Sequence, residues 1–285
     1  MVTRPLLFGA NGQVGFELAQ RADFEIIPRS EADFTNPAAC HAAVLKRRPN
    51  VVVNAAAFTA VDRAESESGL AFAINADTPA ALAQACAQLA IPLIHLSTDF
   101  VFDGGKSGPY DEADAPRPLS VYGASKLAGE DAIRTCLDRH VILRTAWVFS
   151  ARRDNFIKTM LGLAHRPELK VVDDQTGGPT PAAQVAMAVC RILDAVAMGR
   201  AEWGTFHFCG TPAVSRLALA AAAFAVLGRG PRLFPTPSAS FPLPARRPAN
   251  SMLDCRRLHQ AYGITPPDWR SALPAIIRSL EGSAI

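Results

Sequence analysis

The sequence LLFGANGQVG at residues 6–15 decides the fold of this 285-residue chain. Its three leading apolar residues are typical of a buried strand, and they run directly into glycines spaced G-x-x-G-x-x-G. Glycines in such a turn let the backbone approach a pyrophosphate, and the free N–H groups of the following helix attract negative charge. Three glycines can also form an ordinary tight turn. Their position directly after a strand favours dinucleotide binding instead.

The pattern that follows this turn extends the prediction to the whole chain. Short apolar runs alternate with helical patterns through the first half, as expected for βαβ units and a parallel sheet covered on both faces. The predicted strands are 5–9, 24–28, 51–55, 91–96 and 140–145, and the predicted helices are 12–21, 38–47, 68–89 and 120–137. In the second half, the sequence predicts helices at 182–197, 215–227 and 268–281 and a strand at 205–208. It also predicts an extended proline-rich loop at 228–248.

We therefore predict an α/β fold, with a Rossmann-type doubly wound parallel sheet and a smaller C-terminal substrate-binding α/β domain. Residues 1–148 form the dinucleotide-binding domain in this interpretation. Residues 149–285 mainly bind the substrate, and some of their segments return to the first domain's sheet.

Charge and cysteine content exclude several classes of protein. The chain has 29 Lys and Arg against 26 Asp and Glu, and its basic residues are scattered. A nucleic-acid-binding or membrane-surface protein would concentrate them. The six cysteines form no C-x-x-C pair, which predicts reduced thiols. The N-terminus lacks a signal-peptide pattern and every apolar run is too short for a membrane span, so we expect a soluble, cytoplasmic protein.

The end of the second predicted strand selects the cofactor. An acidic residue there would bind the adenosine ribose and repel a 2′-phosphate, but this strand ends in Arg29 and Ser30. Their guanidinium and hydroxyl favour NADPH, with NADH as the weaker alternative. The alternative is that Arg29 is a solvated loop residue. We expect Asp33 and Phe34 to bracket the adenine ring, and the small residues 55–57 to leave room for a flat ligand.

The catalytic residues are predicted from one spacing. Tyr122 and Lys126 open a predicted helix four residues apart, so both side chains can point into one cleft, and Thr98 ends the preceding strand. A nearby cation lowers the pKa of a phenol toward the working pH of a general acid. A Tyr and Lys pair on a solvated helix surface is the alternative. The glycine turn and Thr98 disfavour it.

Motifs along nearly the whole chain support this interpretation. They comprise residues 7–9, 12–15, 54–57, 59–62, 64–65, 97–99, 101–102, 121–123, 125–130, 144–145, 147–148, 155–156, 158–160, 174–175, 178–180, 247–248 and 250–251. With these motifs the sequence resembles the extended short-chain dehydrogenase/reductase family, and most closely its dTDP-4-dehydrorhamnose reductases. The resemblance implies reduction of the C4 ketone of dTDP-4-dehydro-L-rhamnose, the step that completes activated rhamnose for cell-surface polysaccharide.

The resemblance also implies roles for individual residues. Tyr122 would protonate the developing alkoxide, Lys126 would hold the nicotinamide ribose, and Thr98 would polarise the carbonyl. Together with the residues argued above, the predicted cofactor-binding set is Gly9, Gly12, Gln13, Val14, Gly15, Arg29, Ser30, Asp33, Phe34, Ala55, Ala56, Ala57, Thr59, Tyr122 and Lys126. The predicted substrate-binding set is Thr98, Asp99, Trp147, Asn155 and Arg247. Trp147 could instead be core packing, and Arg247 could be a solvated loop residue.

One departure from the family concerns a metal. Some members bind Mg²⁺ at a dimer interface through three glutamates, of which Glu17 matches the first. Ala183 and Arg270 stand at the other two places and cannot ligate a cation. We therefore predict no metal, and either a monomer or a homodimer that binds a nucleotide sugar and neither nucleic acid nor membrane. An epimerase or dehydratase of the same superfamily, or a catalytically silent regulatory subunit, are the alternatives.

Overall fold

The structure, a computed structural model, describes residues 4–282. Its first half alternates strands and helices: β1 (Leu6–Phe8), α1 (Gln13–Ala19), β2 (Glu25–Ile26), α2 (Pro37–Arg47), β3 (Val52–Asn54), α3 (Val61–Ser66), α4 (Ser68–Phe72), α5 (Thr78–Leu89), β4 (Leu93–Thr98), α6 (Val121–Cys136) and β5 (His140–Thr145). The second half contains β6 (Val148–Phe149), α7 (Phe156–Gly162), β7 (Glu168–Val172), β8 (Thr176–Gly177), β9 (Thr180–Pro181), α8 (Ala182–Ala197), β10 (Gly204–Phe208), β11 (Val214–Ser215), α9 (Arg216–Leu227), β12 (Arg232–Thr236), β13 (Asn250–Ser251), α10 (Arg256–Tyr262) and α11 (Leu273–Gly282).

A parallel sheet of six strands organises residues 4–282, in the order β10-β5-β4-β3-β1-β2. The predicted α/β fold is confirmed. The chain steps from β1 to β2 and then returns to place β3 on the other side of β1, so the strand order reverses between β1 and β3. Phe8 pairs with Asn54 there, so the turns after both strands meet at one edge. Ligands of open parallel sheets bind at the carboxyl ends of such strands.

Apolar side chains cover both faces of this sheet. Leu6 and Leu7 are fully buried but belong to different clusters, because successive side chains of a strand point to opposite faces. On one face Leu7 packs with Leu18 of α1 and Val189 of α8. On the other face Leu6 packs with Leu82 of α5. Burial on both faces explains why the strands read as continuous apolar runs.

The predicted helix 68–89 is interrupted. A π-helical turn occupies Ala73–Asp77, between α4 and α5. Pro79 in the first turn of α5 explains the break, because its ring excludes a regular hydrogen bond to the carbonyl four residues earlier. The turn places Asn75 where its side chain bonds the backbone N–H and C=O of Phe58 and the Ser125 hydroxyl. It therefore ties the loop after β3 to α6.

Two elements of the second half pack against the first half. β10 joins the edge of the main sheet beside β5, and α8 packs on α1. The prediction of an extended loop at 228–248 is wrong in part, since β12 pairs in parallel with β7 and a 3-10 turn follows at Ser238–Ser240. Pro235 is tolerated in β12 because this two-stranded ribbon leaves one edge unpaired. In the described part of the chain, no helix is long and apolar enough to cross a membrane.

A buried ion pair fixes the elements that carry the predicted site. Arg144 of β5 donates from Nη2 to Oε2 of Glu130 on α6 at 2.6 Å, and the Ser97 hydroxyl of β4 donates to Oε1 at 2.5 Å. Burial alone would raise the pKa of Glu130, but the hydrogen bonds and charge of Arg144 outweigh it and lower the pKa. The carboxylate therefore stays ionised and holds β4, β5 and α6 together.

Candidate active site

A cleft of about 1630 Å³ runs along the carboxyl edge of the main sheet and is lined by both halves of the chain. Pockets that bind a single small ligand have volumes of about 300–1,000 Å³, so the volume of this cleft is large enough for two ligands. Of the predicted site residues, those that line it are Gly9, Gly12, Gln13, Val14, Arg29, Asp33, Phe34, Ala55, Ala56, Ala57, Thr59, Thr98, Asp99, Tyr122, Lys126, Trp147, Asn155 and Arg247. Gly15 and Ser30 do not line it.

The glycine turn forms one end of the cleft. Gly9 has a φ of +86°, and a Cβ there would lie 2.5 Å from the Ala56 nitrogen, so only glycine fits between β1 and β3. Gly12 is the N-cap residue that precedes α1, and no side chain caps this helix end. The first turn of α1 also has no acidic residue. The N–H groups and the positive dipole end of α1 are thus open to an anion, which fits a pyrophosphate. Gly15 instead packs against the Gly9 carbonyl, because a Cβ would lie 2.0 Å from that oxygen.

Gln13 connects this turn to the second half. Its side-chain oxygen accepts hydrogen bonds from the Ser150 hydroxyl at 2.7 Å and from Asn155 Nδ2 at 3.2 Å. Asn155 also caps α7, since its Oδ1 accepts from the Lys158 backbone N–H. The side chain predicted to bind substrate therefore holds the glycine turn in place from the other side of the cleft.

The residues predicted to bind the adenosine part of the cofactor lie together in the loop that follows β2. Arg29 donates to Asp33 at 2.9 Å, although the Arg29 side chain is 76% exposed. The pKa of Asp33 is lowered, first by the Thr35 backbone N–H and then by Arg29. Phe34 packs edge-on against Phe8 with ring centroids 5.5 Å apart. Arg29 can thus turn toward a phosphate at little cost, because an exposed ion pair contributes little.

Tyr122 and Lys126 share one buried face of α6, which begins after Ser120. The Ser120 hydroxyl accepts a hydrogen bond from the Gly123 N–H and caps the helix. Burial raises the pKa of Tyr122 to about 12, and the negative charge of Asp99 adds to this rise while the Thr98 hydroxyl opposes it. The prediction that a cation lowers this pKa is wrong for this structure. Lys126 is itself desolvated, and burial lowers its pKa to about 8.

Two buried residues beneath Lys126 were missed by the sequence prediction. Lys126 donates to the Leu96 carbonyl at 2.7 Å and lies 3.1 Å from His95 Nε2. The side-chain oxygen of Asn54 accepts a hydrogen bond from the Ala56 N–H. The side-chain nitrogen of Asn54, Nδ2, lies 3.0 Å from His95 Nδ1. His95 Nε2 thus lies against the Lys126 nitrogen, and Asn54, His95 and Lys126 form one chain of buried polar contacts. This arrangement holds the Lys126 nitrogen at the floor of the cleft, where desolvation lowers its pKa.

Asp99 lies in the cleft directly after Thr98. Its Oδ1 accepts from the Thr98 hydroxyl at 2.9 Å, and burial raises its pKa to about 6. Within residues 4–282, the buried side-chain oxygens without a hydrogen bond are Asp99 Oδ2 and Thr145 Oγ1, and both residues line the cleft. Unsatisfied buried oxygens at one site fit a ligand that brings its own hydroxyl groups.

Trp147 and an unpredicted arginine also line the cleft. Trp147 has a φ of +47°, and its indole N–H donates to the Ser251 hydroxyl at 3.1 Å. The Arg216 guanidinium stacks 3.4 Å above the centre of the Trp147 ring. Arg216 is the first residue of α9 and its only charged one, a contrast visible in the sequence.

Arg247 also lines the cleft, but it is already paired. Its Nη1 and Nη2 donate to the two oxygens of Asp62 at 3.0 and 2.7 Å. This fork holds the proline-rich segment against α3. Arg247 therefore does not have the solvated side chain of the alternative interpretation.

Comparison with known proteins agrees with this geometry. The family described as the RmlD substrate binding domain matches residues 3–281. A dTDP-4-dehydrorhamnose reductase from Aggregatibacter actinomycetemcomitans is 40% identical, over 96% of this chain and 98% of its own.

Solved structures give the same result. A dTDP-4-dehydrorhamnose reductase from Clostridium acetobutylicum superimposes with a TM-score of 0.91 at 36% identity, covering 97% of this chain and 99% of its own. The enzyme from Bacillus anthracis, crystallised in complex with NADP, gives a TM-score of 0.90 at 31% identity, with 98% and 99% coverage. Since the family match spans almost every residue, the chain belongs to the family described as the RmlD substrate binding domain.

Proposed function

We propose that this protein reduces the C4 ketone of dTDP-4-dehydro-L-rhamnose to dTDP-L-rhamnose, with NADPH as the reductant. The observation that carries the proposal is that Tyr122, Lys126 and Thr98 line the same cleft as the glycine turn. The relatives named dTDP-4-dehydrorhamnose reductase support the substrate, and the NADP in the Bacillus anthracis relative supports the cofactor. The product would supply activated rhamnose for cell-surface polysaccharide.

The two ligands would divide the cleft between them. Residues 1–148 would hold NADPH, with Gly9, Gly12, Gln13 and Val14 at the pyrophosphate, Arg29 and Asp33 near the adenosine, Phe34 at the adenine, and Ala55 to Ala57 with Thr59 along the floor. Ser30 would reach the 2′-phosphate only through a change of its loop, and Gly15 would act by packing. Residues 149–285 would mainly bind the sugar nucleotide. Two of their elements belong to the first half's architecture, since β10 joins the main sheet and α8 packs against α1.

When bound, NADPH supplies the hydride that reduces the ketone carbon. Tyr122 supplies the proton that the ketone oxygen takes up as it becomes a hydroxyl. Burial raises the pKa of Tyr122, so the phenol carries its proton at neutral pH before the ketone binds. Thr98 would polarise the ketone oxygen by turning its hydroxyl proton toward it and away from the Asp99 carboxylate.

Lys126 would bind the ribose next to the nicotinamide. Its amine is held by the Leu96 carbonyl and by His95, so it cannot swing away from the cleft floor. Asp99, Trp147, Asn155 and Arg247 would contact or position the sugar nucleotide. Every group in this scheme comes from one chain, so a monomer or a homodimer suffices. NADPH and nucleotide sugars are cytoplasmic metabolites, and we place the reaction there.

The direct test supplies dTDP-4-dehydro-L-rhamnose to the purified protein and follows the loss of NADPH absorbance. We expect oxidation of one NADPH for each dTDP-L-rhamnose formed. An epimerase or a dehydratase would convert a nucleotide sugar without net NADPH oxidation, and a regulatory subunit would convert nothing. Either result would refute the proposal.

A further inference from the structure

Arg216 is a half-buried cation that the proposed chemistry does not use. Its side chain lines the cleft, stacks on the Trp147 ring at 3.4 Å and faces the Phe156 ring at 5.1 Å. Within residues 4–282 its guanidinium makes no hydrogen bond and no ion pair. A guanidinium has five N–H donors, and those of Arg216 are accessible from the cleft and have no protein acceptor in the described part of the chain.

The charges around Arg216 leave it uncompensated. Asp99 attracts it but lies outside ion-pair contact, and Arg247 repels it. Burial is the largest influence and lowers the pKa of Arg216 to about 10. Arg247 differs sharply, because both of its terminal nitrogens bond the Asp62 carboxylate. Of the two arginines on this side of the cleft, Arg216 has its donors available.

The neighbours of Arg216 define the ligand that would complement it. Arg216 needs acceptor oxygens with negative charge, whereas Asp99 Oδ2, in the same cleft, needs a hydroxyl donor. A sugar diphosphate carries both groups close together, the diphosphate oxygens for Arg216 and the sugar hydroxyls for Asp99. Guanidinium groups bind such oxygens with two parallel hydrogen bonds.

We propose that the Arg216 guanidinium binds the diphosphate of the sugar nucleotide and, stacked on Trp147, sets the position of the sugar between Asp99 and Tyr122. The inference rests on the proposed function for the identity of the nucleotide. The pyrophosphate of the cofactor is a different anion with its own cradle at α1, where Gly12 leaves the N–H groups open. Arg216 is therefore a determinant of substrate binding and not of cofactor binding.

The test measures the affinity of the purified protein for dTDP, thymidine and NADPH by calorimetry. We expect Arg216→Met to weaken dTDP by about 10- to 100-fold, because a hydrogen-bonded charge contributes that much. Thymidine, which lacks phosphate, and NADPH should bind to the variant as to the wild type. Arg216→Lys should fall between, since it keeps the charge and loses the fork. Arg191→Met, on the exposed face of α8, is the matched control for the lost positive charge.

The outcomes separate this inference from the proposed function. Wild-type protein that fails to bind dTDP refutes the proposed function and the inference together. Wild type that binds dTDP, with Arg216→Met binding it equally well, refutes the inference alone. A loss of NADPH affinity in the variant would assign Arg216 to the cofactor and also refute it. If Arg216→Met fails to fold, Arg216→Lys decides: dTDP affinity unchanged from the wild type overturns the inference, and a selective loss supports it.

Discussion

Replacing Asp99 by Asn should stabilise the protein at alkaline pH, although Asp99 belongs to the proposed substrate site. The carboxyl is 2% exposed, and burial raises its pKa from 3.8 to about 6. Above pH 6 the ionised group therefore favours the unfolded chain, in which it is hydrated. A shift of this size corresponds to about 3 kcal/mol at pH 8. Asn resembles the protonated acid, so the variant should gain about that much free energy of unfolding.

The pH dependence gives the sign of the effect. As the pH falls through 6, the folded wild type takes up a proton before the unfolded chain does, so wild-type stability rises toward pH 4. The advantage of Asp99→Asn should shrink to about half of its value at pH 8 when the pH is lowered to 5. Urea unfolding at both pH values measures this. Asp138→Asn, at an exposed position, is the control and should change stability by less than about 0.5 kcal/mol.

Two results would refute this reasoning. One is an equal gain at pH 8 and pH 5, which would mean that the gain does not come from ionisation. The other is a variant less stable than the wild type at pH 8, which would mean that Asp99 is stabilised by its neighbours more than it is penalised by burial. A confirmed gain would show that this carboxylate is retained at a cost in stability, as is common for groups that bind ligands.

Three further variants test the site and its support. Tyr122→Phe should lower kcat by about 10²- to 10⁴-fold and leave NADPH affinity largely intact, while the control Tyr262→Phe retains activity. An active Tyr122→Phe enzyme would exclude Tyr122 as the acid. Arg29→Asp should weaken NADPH more than NADH in equilibrium titrations, and an equal loss for both would argue against a 2′-phosphate contact. Glu130→Gln should lower the free energy of unfolding, measured in urea, by about 3–5 kcal/mol, because it leaves Arg144 buried without its counter-charge. A loss under about 1 kcal/mol would mean that water or another group takes the place of the Glu130 carboxylate.

Elements whose patterns are local could be predicted from the order of the amino acids. The strand and glycine turn at 6–15, the alternation of strands and helices through β5, and the helix at 182–197 all follow from the spacing of apolar residues and glycines over a few turns. The i, i+4 spacing likewise places Tyr122 and Lys126 on one face of α6. Such features need no knowledge of which distant segments meet.

The tertiary structure decided everything that depends on distant contacts and on burial. Arg247 meets Asp62, and Arg216 stacks on Trp147, across separations along the chain that no local pattern records. The short strands β8 and β13 form only because their partners are brought to them, since two residues cannot carry a periodic signal. Three-dimensional packing alone reveals that the Arg247 charge is compensated and the Arg216 charge is not.

The protonation of the site shows the same division. The spacing of Tyr122 and Lys126 suggested a cation that lowers the phenol's pKa, yet desolvation raises it to about 12 and lowers that of Lys126 to about 8. His95 and Asn54, which fix the amine from below, lie on buried strands and read as ordinary core positions in the sequence. The sequence thus indicated that Tyr122 and Lys126 share one helix face. Their charge states required the structure, because removal of water around each group is a property of the whole fold.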